Sequence, residues 1–229
     1  MLKFVGVQPW IDESVRQLRP DFRAISIVAD GVQNCLSHPV AAEALDDAWR
    51  GLGFASWADA HVHAWREAYR SFGAKPKKTP SSVEALRGRI EKCAALPSIN
   101  AIVDLYNAIS IKFAVPVGGE CLDAYAGQPR LVRAAGGEIF ETVRDGVDVI
   151  EGVAPEEVIW RDDRGATCRR WNWRQCNRTR ITDSSSHLWF VLEALGPMPD
   201  QALDSAASAL CKGLAAITPA ASIQSDWLR

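Results

Sequence analysis

Three polar side chains share one face of a mostly apolar segment between residues 99 and 113. Asn100, Asp104 and Asn107 are spaced i, i+4 and i+7, which places them on one face of a helix. Buried amide and carboxyl groups need hydrogen-bond partners. The stripe therefore either ties the helix to a neighbouring backbone or lines a wet pocket in which a ligand and a water molecule are oriented, and both interpretations stay open.

A second group of candidates is the arginine-rich stretch at residues 160–180, which holds seven arginines and three tryptophans. If Thr167–Arg174 is a strand, its two tryptophans share one face, while Arg170, Asn172 and Arg174 share the other. Guanidinium groups match phosphate and carboxylate groups, and arginine beside aromatic rings suits a single-stranded RNA end. The alternative is a solvated edge strand whose arginines pair with neighbouring aspartates.

Lys75, Lys77 and Lys78 form a basic loop that is interrupted by Pro76 and ends at Pro80. Such a loop is either simply solvated or contacts nucleic-acid phosphates, which positions a ligand without reading its sequence. The formal net charge of the chain is −2, so any contact with nucleic acid must come from a local patch of this kind. A protein that coats DNA would usually be basic overall, and we expect no DNA partner.

Several common chemistries are missing from the sequence. There is no G-x-S-x-G elbow, no Walker loop and no dinucleotide-binding G-x-G-x-x-G. His61 and His63 are two residues apart on a predicted helix and do not face one site. The six cysteines form no C-x-x-C pair and have no zinc-like spacing to histidine. We therefore expect no metal and no cofactor, and no Ser or Cys nucleophile with a local base.

The elements that must position these residues follow an α+β order. A helical block at about residues 39–113 stands between strand-like segments, and a last helix follows, which predicts a mixed β-sheet with surrounding helices. The 229 residues, 48% hydrophobic and 24% charged, fit one domain over residues 1–229. We see no signal peptide and no membrane-spanning run, and expect a cytoplasmic protein with no membrane partner.

The predicted elements are as follows. Strands are expected at residues 2–7, 22–29, 130–134, 139–143, 158–161, 167–173 and 187–195. Helices are expected at residues 12–18, 41–49, 56–72, 82–93, 99–113 and 200–217. The Gly-Gly pair in the segment 117–120 predicts a turn, and the chain after residue 217 is expected to be a loose tail.

Three sequence blocks together carry a resemblance to a known family. They are Gly73–Leu86, Leu96–Glu120 and Arg169–Thr182. In order and spacing they resemble the stand-alone proteins related to the tRNA-editing domain (the B3/4 domain) in the beta subunit of phenylalanyl-tRNA synthetase. The similarity covers roughly residues 20–215. It implies an α+β fold around a mixed sheet, with a cleft that accepts the aminoacylated 3′ end of tRNA.

The resemblance implies a trans-acting aminoacyl-tRNA deacylase, which hydrolyses mischarged tRNA with a positioned water and no covalent intermediate. Asn100, Asp104 and Asn107 would line one wall of the cleft, and the basic loop would contact tRNA phosphates. The other wall would carry Arg170, Arg174, Gln175, Asn177 and Thr179. The alternative function is a non-catalytic binding module for an amino acid, a nucleotide or an RNA 3′ end.

One departure from the family pattern concerns specificity. The synthetase domain carries a Gly-Gly-Glu segment shortly before a Val-Thr-Asp element, which Ile181–Asp183 resembles. Gln175 and Asn177 then stand where the family has a glycine and the pocket glutamate. Because an amide carries no charge, the tyrosine specificity of the synthetase domain is not carried over. The Gly118–Glu120 segment belongs to another block and is not taken for this element.

Overall fold

The structure is a computed structural model that describes residues 7–93 and 96–228. The strand expected at residues 2–7 lies outside the described residues, apart from Val7, which is not part of a strand. The described helices are α1 (Glu13–Leu18), α2 (Pro39–Arg50), α3 (Ala58–Ser71), α4 (Ser82–Cys93), α5 (Ala101–Phe113) and α6 (Asp200–Ile217). The described strands are β1 (Trp10–Ile11), β2 (Arg23–Asp30), β3 (Val117–Cys121), β4 (Arg130–Arg133), β5 (Ile139–Arg144), β6 (Val147–Gly152), β7 (Val158–Arg161), β8 (Ala166–Arg169), β9 (Arg174–Gln175), β10 (His187–Ala194) and β11 (Ser222–Leu228).

A four-stranded antiparallel sheet, in the order β11-β2-β10-β3, occupies the middle of the molecule. One face packs on α5 and α6 through residues such as Ile27 and Phe190. The opposite face, including Val28 and Trp189, packs on α3 and on a second sheet. Because both faces of β2 and β10 are covered, these strands are apolar along most of their length rather than alternating.

The second sheet has the order β1-β4-β7-β8-β9, and a separate β5–β6 hairpin extends beside it. β1 and β4 are parallel and the other neighbours are antiparallel, so the sheet is mixed. The expected α+β class with a mixed sheet and surrounding helices is confirmed. Within the described ranges, no helix is both long and apolar enough to cross a membrane.

Most predicted elements are confirmed within two residues, and four segments require correction. Residues 117–120 are not a turn but strand β3, which pairs with β10. The strand predicted at 167–173 ends at Arg169, and residues 170–173 form the turn to β9. The tail expected to be loose pairs with the edge of β2 as β11, and β6 was not predicted. Strands β3 and β11 form because they pair with strands distant in the sequence, whereas β6 pairs with β5 across a short turn and residues 170–173 leave the strand as a turn.

His61 of α3 joins the helical block to the central sheet. Its Nδ1 donates to the carbonyl oxygen of Ala114 at 2.8 Å, and its Nε2 accepts from Trp65 Nε1 at 3.1 Å and from the Leu195 amide at 3.0 Å. The ring is fully buried, and burial lowers its pKa to about 4. His61 is therefore a neutral structural residue, and His63 of the same helix is exposed.

Candidate functional site

A cavity of about 310 Å³ lies where the helical block meets the two sheets. Helices α4 and α5 form one side, and strand β3 and the turn between β8 and β9 form the other. Tryptophans of β7 and β10, Trp160 and Trp189, form an apolar floor with Val191. The volume is in the range that encloses one amino-acid residue or a comparable small ligand.

Strand β3 reaches the cavity wall because two of its residues have no side chain. A Cβ atom on Gly119 would lie 2.8 Å from Tyr106 Cε1 and 3.0 Å from two carbons of the Phe190 ring. One on Gly118 would lie 3.3 Å from Val191 Cγ1. The glycine pair thus allows β3 to pack closely between α5 and β10, which places the next residue of the strand at the cavity.

That next residue, Glu120, brings a carboxyl group into the cavity wall. Its side chain lines the cavity and the residue is 4% exposed. Among the described residues, no hydrogen-bond partner meets its Oε2. Burial raises the pKa of Glu120 to about 8, since an ionised carboxylate loses its hydration there. A buried oxygen without a partner is rare in proteins and often marks a functional position.

A second buried carboxyl group, that of Glu193 in β10, lies at the cavity floor. Its Oε1 accepts from Trp160 Nε1 at 2.9 Å, and its Oε2 accepts from Asn172 Nδ2 at 3.0 Å. Asn172 is fixed in turn by the Tyr69 hydroxyl, which donates to its Oδ1 at 2.9 Å. Burial raises the pKa of Glu193 to about 7. Both oxygens of Glu193 thus have donors within the protein. At Glu120 the side chains of Thr167 and Gln175 lie nearby, but Oε2 has no partner among the described residues.

The turn between β8 and β9 holds the far wall in a strained conformation. Arg170 and Trp171 both have left-handed backbones, with φ of 48° and 67°. This region costs about 1 kcal/mol or more for each residue that has a Cβ atom. The burial of Trp171 offsets this conformational cost, because its side chain is fully buried with the ring 5.3 Å from that of Trp65. The carbonyl oxygen of Asn172 also accepts a hydrogen bond from the Ser82 amide at 3.0 Å.

A charged and aromatic rim surrounds the cavity mouth. The Arg170 and Arg174 guanidinium groups lie 4.4 and 5.0 Å from the centre of the Trp173 ring, which is within cation–π distance. Arg174 is exposed and lines the cavity, whereas Arg170 lines a neighbouring pocket together with Lys75 and Lys78. Arg170, which lies 3.7 Å from the Glu157 carboxylate, connects the rim to that pocket, and the two together are referred to below as the rim band.

Three of the residues predicted for the site line the cavity. They are Asn107 of α5 and Arg174 and Gln175 of β9. Gln175 Nε2 donates to the carbonyl oxygens of Gly119 at 2.9 Å and Thr179 at 3.2 Å. Both of its amide hydrogens are therefore used inside the protein, and its clearest effect is to hold β3 against the second sheet.

Two other predicted site residues lie at the beginning of α5 and do not line the cavity. Asn100 is the N-cap residue, and its Oδ1 accepts from the Val103 amide at 3.0 Å. Asp104 accepts from the Ser98 hydroxyl and from the Ile99 amide. The Asn100 bond satisfies a free amide of the first helical turn, and the Asp104 bonds tie the helix to the preceding loop. Asn107 differs from these two, because it lines the cavity.

The remaining predicted residues are spread around the site. Thr179 is buried and its hydroxyl contacts Cys176 Sγ at 3.2 Å, while its carbonyl oxygen accepts from the Cys121 amide at 2.8 Å. Asn177 donates to Asp148 Oδ1 of β6 at 3.0 Å and does not line the cavity. Lys77 lines a different pocket, next to α4. Thr179 and Asn177 brace the second sheet, whereas Lys77 is separated from the rim band.

Glu120 and Glu193 were missed by the sequence reasoning. Glu193 had a usable signal, because it is the one acidic residue within an otherwise apolar strand, and buried charges need a reason. Glu120 had a signal that pointed elsewhere, because its Gly-Gly context is typical of a turn. Only the pairing of β3 with β10 brings the two carboxyl groups to one cavity.

The cavity lining argues against catalysis by a cysteine nucleophile and indicates which kind of ligand fits. Cys168 borders the cavity, but burial raises the pKa of its thiol well above the ordinary value, so it is not an activated nucleophile. In the described part of the chain, no three His, Cys, Asp or Glu side chains are grouped to hold a metal ion. The cavity combines an apolar floor, two interior acids and a cationic mouth. Such a site suits a ligand with a cationic group at one end and phosphates at the other.

Comparison with known proteins agrees with this architecture. The fold is similar to that of an N-terminal fragment of the phenylalanyl-tRNA synthetase beta-subunit from Pyrococcus horikoshii, with a TM-score of 0.54 and 10% sequence identity. The match covers 97% of this chain and 52% of the fragment, so the chain spans about half of its length. A search of curated proteins found no match. Residues 64–210, more than half of the chain, match the model of the B3/4 domain family. The chain therefore belongs to the B3/4 domain family.

Proposed function

We propose that this protein is an aminoacyl-tRNA deacylase, which acts in trans and hydrolyses mischarged tRNA with a positioned water. The observation that carries the proposal is the cavity with a buried carboxyl group below an arginine–tryptophan rim. An aminoacylated 3′ end has matching parts: an amino acid for the cavity, and a nucleoside and phosphates for the rim.

The rim band accounts for the nucleic-acid part of the substrate. Trp173 offers a ring for a terminal base, and Arg170 and Arg174 offer guanidinium groups for stacking or for phosphate pairing. Lys75 and Lys78 extend the same surface and supply contacts that depend on charge and not on sequence. The overall charge of −2 does not oppose this, since the cationic groups are concentrated near one mouth.

The chemistry needs little more than orientation, because an aminoacyl ester is already activated. The oxygen of a bound water forms a bond to the ester carbonyl carbon, and the bond from that carbon to the ribose oxygen breaks. One proton of the water goes to the ribose oxygen, and the other passes to solvent as the amino acid leaves with a free carboxylate. We assign Asn107 to hold the water and Arg174 to stabilise the developing negative charge on the carbonyl oxygen. Asn100, Asp104, Asn177 and Thr179 act indirectly, by fixing the elements around the cavity.

A binding module without turnover is the second candidate function. It is favoured by the absence of a nucleophile–base pair among the described groups that line the cavity. Such a protein would hold an amino acid, a nucleotide or an RNA 3′ end. Its ligand would raise the thermal stability of the protein, but no ester would be cleaved.

The deciding experiment measures hydrolysis of a panel of correctly and incorrectly charged tRNAs. We expect release of the amino acid from at least one mischarged tRNA, and about a tenfold or greater loss of kcat/KM in Arg174→Ala, since a charge-assisted contact is removed. Arg180→Ala is the matched control, because Arg180 is exposed in the same segment and does not line the cavity. If the folded protein hydrolyses none of these tRNAs above the buffer rate, the deacylase proposal fails and the binding module stands.

A further inference from the structure

The two carboxyl groups of the cavity differ in their hydrogen-bond partners. Glu193 has a donor for each oxygen, from Trp160 and Asn172. Glu120 is almost as buried, yet its Oε2 meets no donor among the described residues. Leaving a buried acceptor without a donor is costly, and ligands commonly supply the missing partner. Of the two acids, Glu120 is therefore the one with an open hydrogen-bond position.

The charges around Glu120 indicate what kind of group completes it. Arg178, which lies near enough to affect Glu120, is engaged by both oxygens of Asp162, at 2.8 and 3.0 Å. The lining arginines, Arg89 and Arg174, are exposed at the mouth. No lysine or arginine thus fills the interior next to Glu120 among the described lining residues. The missing partner is a cation that arrives with the ligand.

We propose that Glu120 binds the free α-ammonium group of the aminoacyl ligand, so that the site selects unblocked aminoacyl groups and rejects N-acylated ones. This inference rests on the proposed aminoacyl substrate and names the group that is read. An ammonium group supplies the donor that Oε2 lacks and a charge-assisted bond to the carboxylate. Trp160 and Trp189 then receive the amino-acid side chain, and the ester points to Arg174 at the mouth.

The expected preference for a free ammonium group follows from the burial of Glu120. An N-acyl group removes the positive charge and adds bulk next to the Glu120 carboxyl group. A hydroxy acid keeps the size of the amino acid but replaces the ammonium with a neutral hydroxyl. Because Glu120 is enclosed, water cannot replace the lost partner at little cost. Both changes are therefore expected to weaken binding by about tenfold or more.

The test uses non-hydrolysable compounds in which alanine, leucine or phenylalanine is joined by an amide to 3′-amino-3′-deoxyadenosine. Each is prepared as the free amine, the N-acetyl form and the corresponding hydroxy acid, and binding is measured by calorimetry. For the wild type we expect the free amine to bind about tenfold or more tightly than the other two forms. In Glu120→Gln we expect this preference to fall to about twofold or less, with hydroxy-acid binding retained.

Glu43→Gln is the matched control, since Glu43 is exposed on α2 and does not line the cavity. It should keep the full preference for the free amine. The inference is overturned if the wild type binds the hydroxy acid as tightly as the amine, if none of the compounds binds, or if Glu120→Gln keeps the preference. The wild-type comparison does not depend on the folding of any variant.

The outcome is separable from that of the deacylase proposal. An amine preference without hydrolysis of any charged tRNA would support the ammonium site and defeat the deacylase. Hydrolysis of N-acetyl-aminoacyl-tRNA at the rate of the unblocked form would defeat the ammonium site and leave the deacylase intact.

Discussion

Glu120→Gln should make the protein more stable, and the gain should grow with pH. The wild-type carboxyl group is buried with one oxygen that has no partner, and burial raises its pKa from 4.5 to about 8. Glutamine has nearly the shape of the protonated acid but does not ionise. The substitution therefore removes the titration and keeps the volume of the side chain.

The sign and size follow from the linkage between protonation and folding. The folded pKa lies above the unfolded one, so the contribution of Glu120 is fully present below about pH 4.5 and is lost as pH rises through 8. A gap of about 3.5 pKa units corresponds to about 5 kcal/mol at high pH and about 3 kcal/mol at pH 7. We subtract about 1 kcal/mol for the glutamine amide, which also lacks a full set of partners. The variant should be about 2 kcal/mol more stable at pH 7, about 4 kcal/mol at pH 9, and equal at pH 5.

The assay is urea unfolding at pH 5, 7 and 9, followed by tryptophan fluorescence, for the wild type, Glu120→Gln and Glu43→Gln. Glu193 also titrates in this cavity, with its pKa raised to about 7, but it is present in all three proteins, so its own contribution largely cancels in the differences. A stability difference that does not change with pH, or a variant less stable than the wild type at pH 9, would refute the reasoning. A stabilised variant that loses its ligand would show that the acid is retained for function at a cost in stability.

Three further predictions concern the surroundings of the site. His61 has a pKa of about 4 in the folded protein and of 6.5 in the unfolded chain. Its contribution to the free energy of unfolding is therefore present above pH 6.5 and is lost as the pH falls towards 4. In urea unfolding over that range, the wild type should lose about 3 kcal/mol more than His61→Gln. Trp171→Ala should lower the free energy of unfolding by about 3–5 kcal/mol, and a loss below about 1 kcal/mol would contradict its place in the core. Lys75→Ala combined with Lys78→Ala should weaken tRNA binding and reduce its salt dependence in filter-binding assays, while the adenosine amides bind as before; an unchanged salt slope would exclude these lysines from the RNA contact.

The sequence predicts most helices and several strands because their signals are local. Asp200–Ile217 and Val158–Arg161 have the expected bounds, since an amphipathic repeat or a short β-branched run defines each one. Local sequence patterns do not predict strands β3 and β11. The first contains a Gly-Gly pair that is typical of turns, and the second has no clear alternation; each is extended because a neighbouring strand lies at hydrogen-bond distance.

The same distinction between local and non-local signals applies to the residues of the candidate site. Asn107, Arg174 and Gln175 were predicted and line the cavity, because polar residues in an apolar helix or beside tryptophans stand out in a sequence. Asn100 stands out equally, but its local bond to the Val103 amide explains it. Glu120 does not stand out at all, because its significance arises from a strand pairing that brings it to Tyr106 and Trp189 from far along the chain.

The strained turn between β8 and β9 is the clearest sign that the cavity is preformed. Two adjacent left-handed residues, Arg170 and Trp171, cost about 2–4 kcal/mol together, and a flexible loop would relax out of that conformation. It cannot relax here, because release would withdraw the Trp171 ring from the core, at a cost of about 3–5 kcal/mol, and break the bond from the Ser82 amide to the Asn172 carbonyl oxygen. Since the core cost is at least as large as the strain, the turn is held in place, and with it Trp173 and Arg174. A ligand that enters this cavity therefore meets walls that are already in position, and its binding energy can go into orienting the reacting groups.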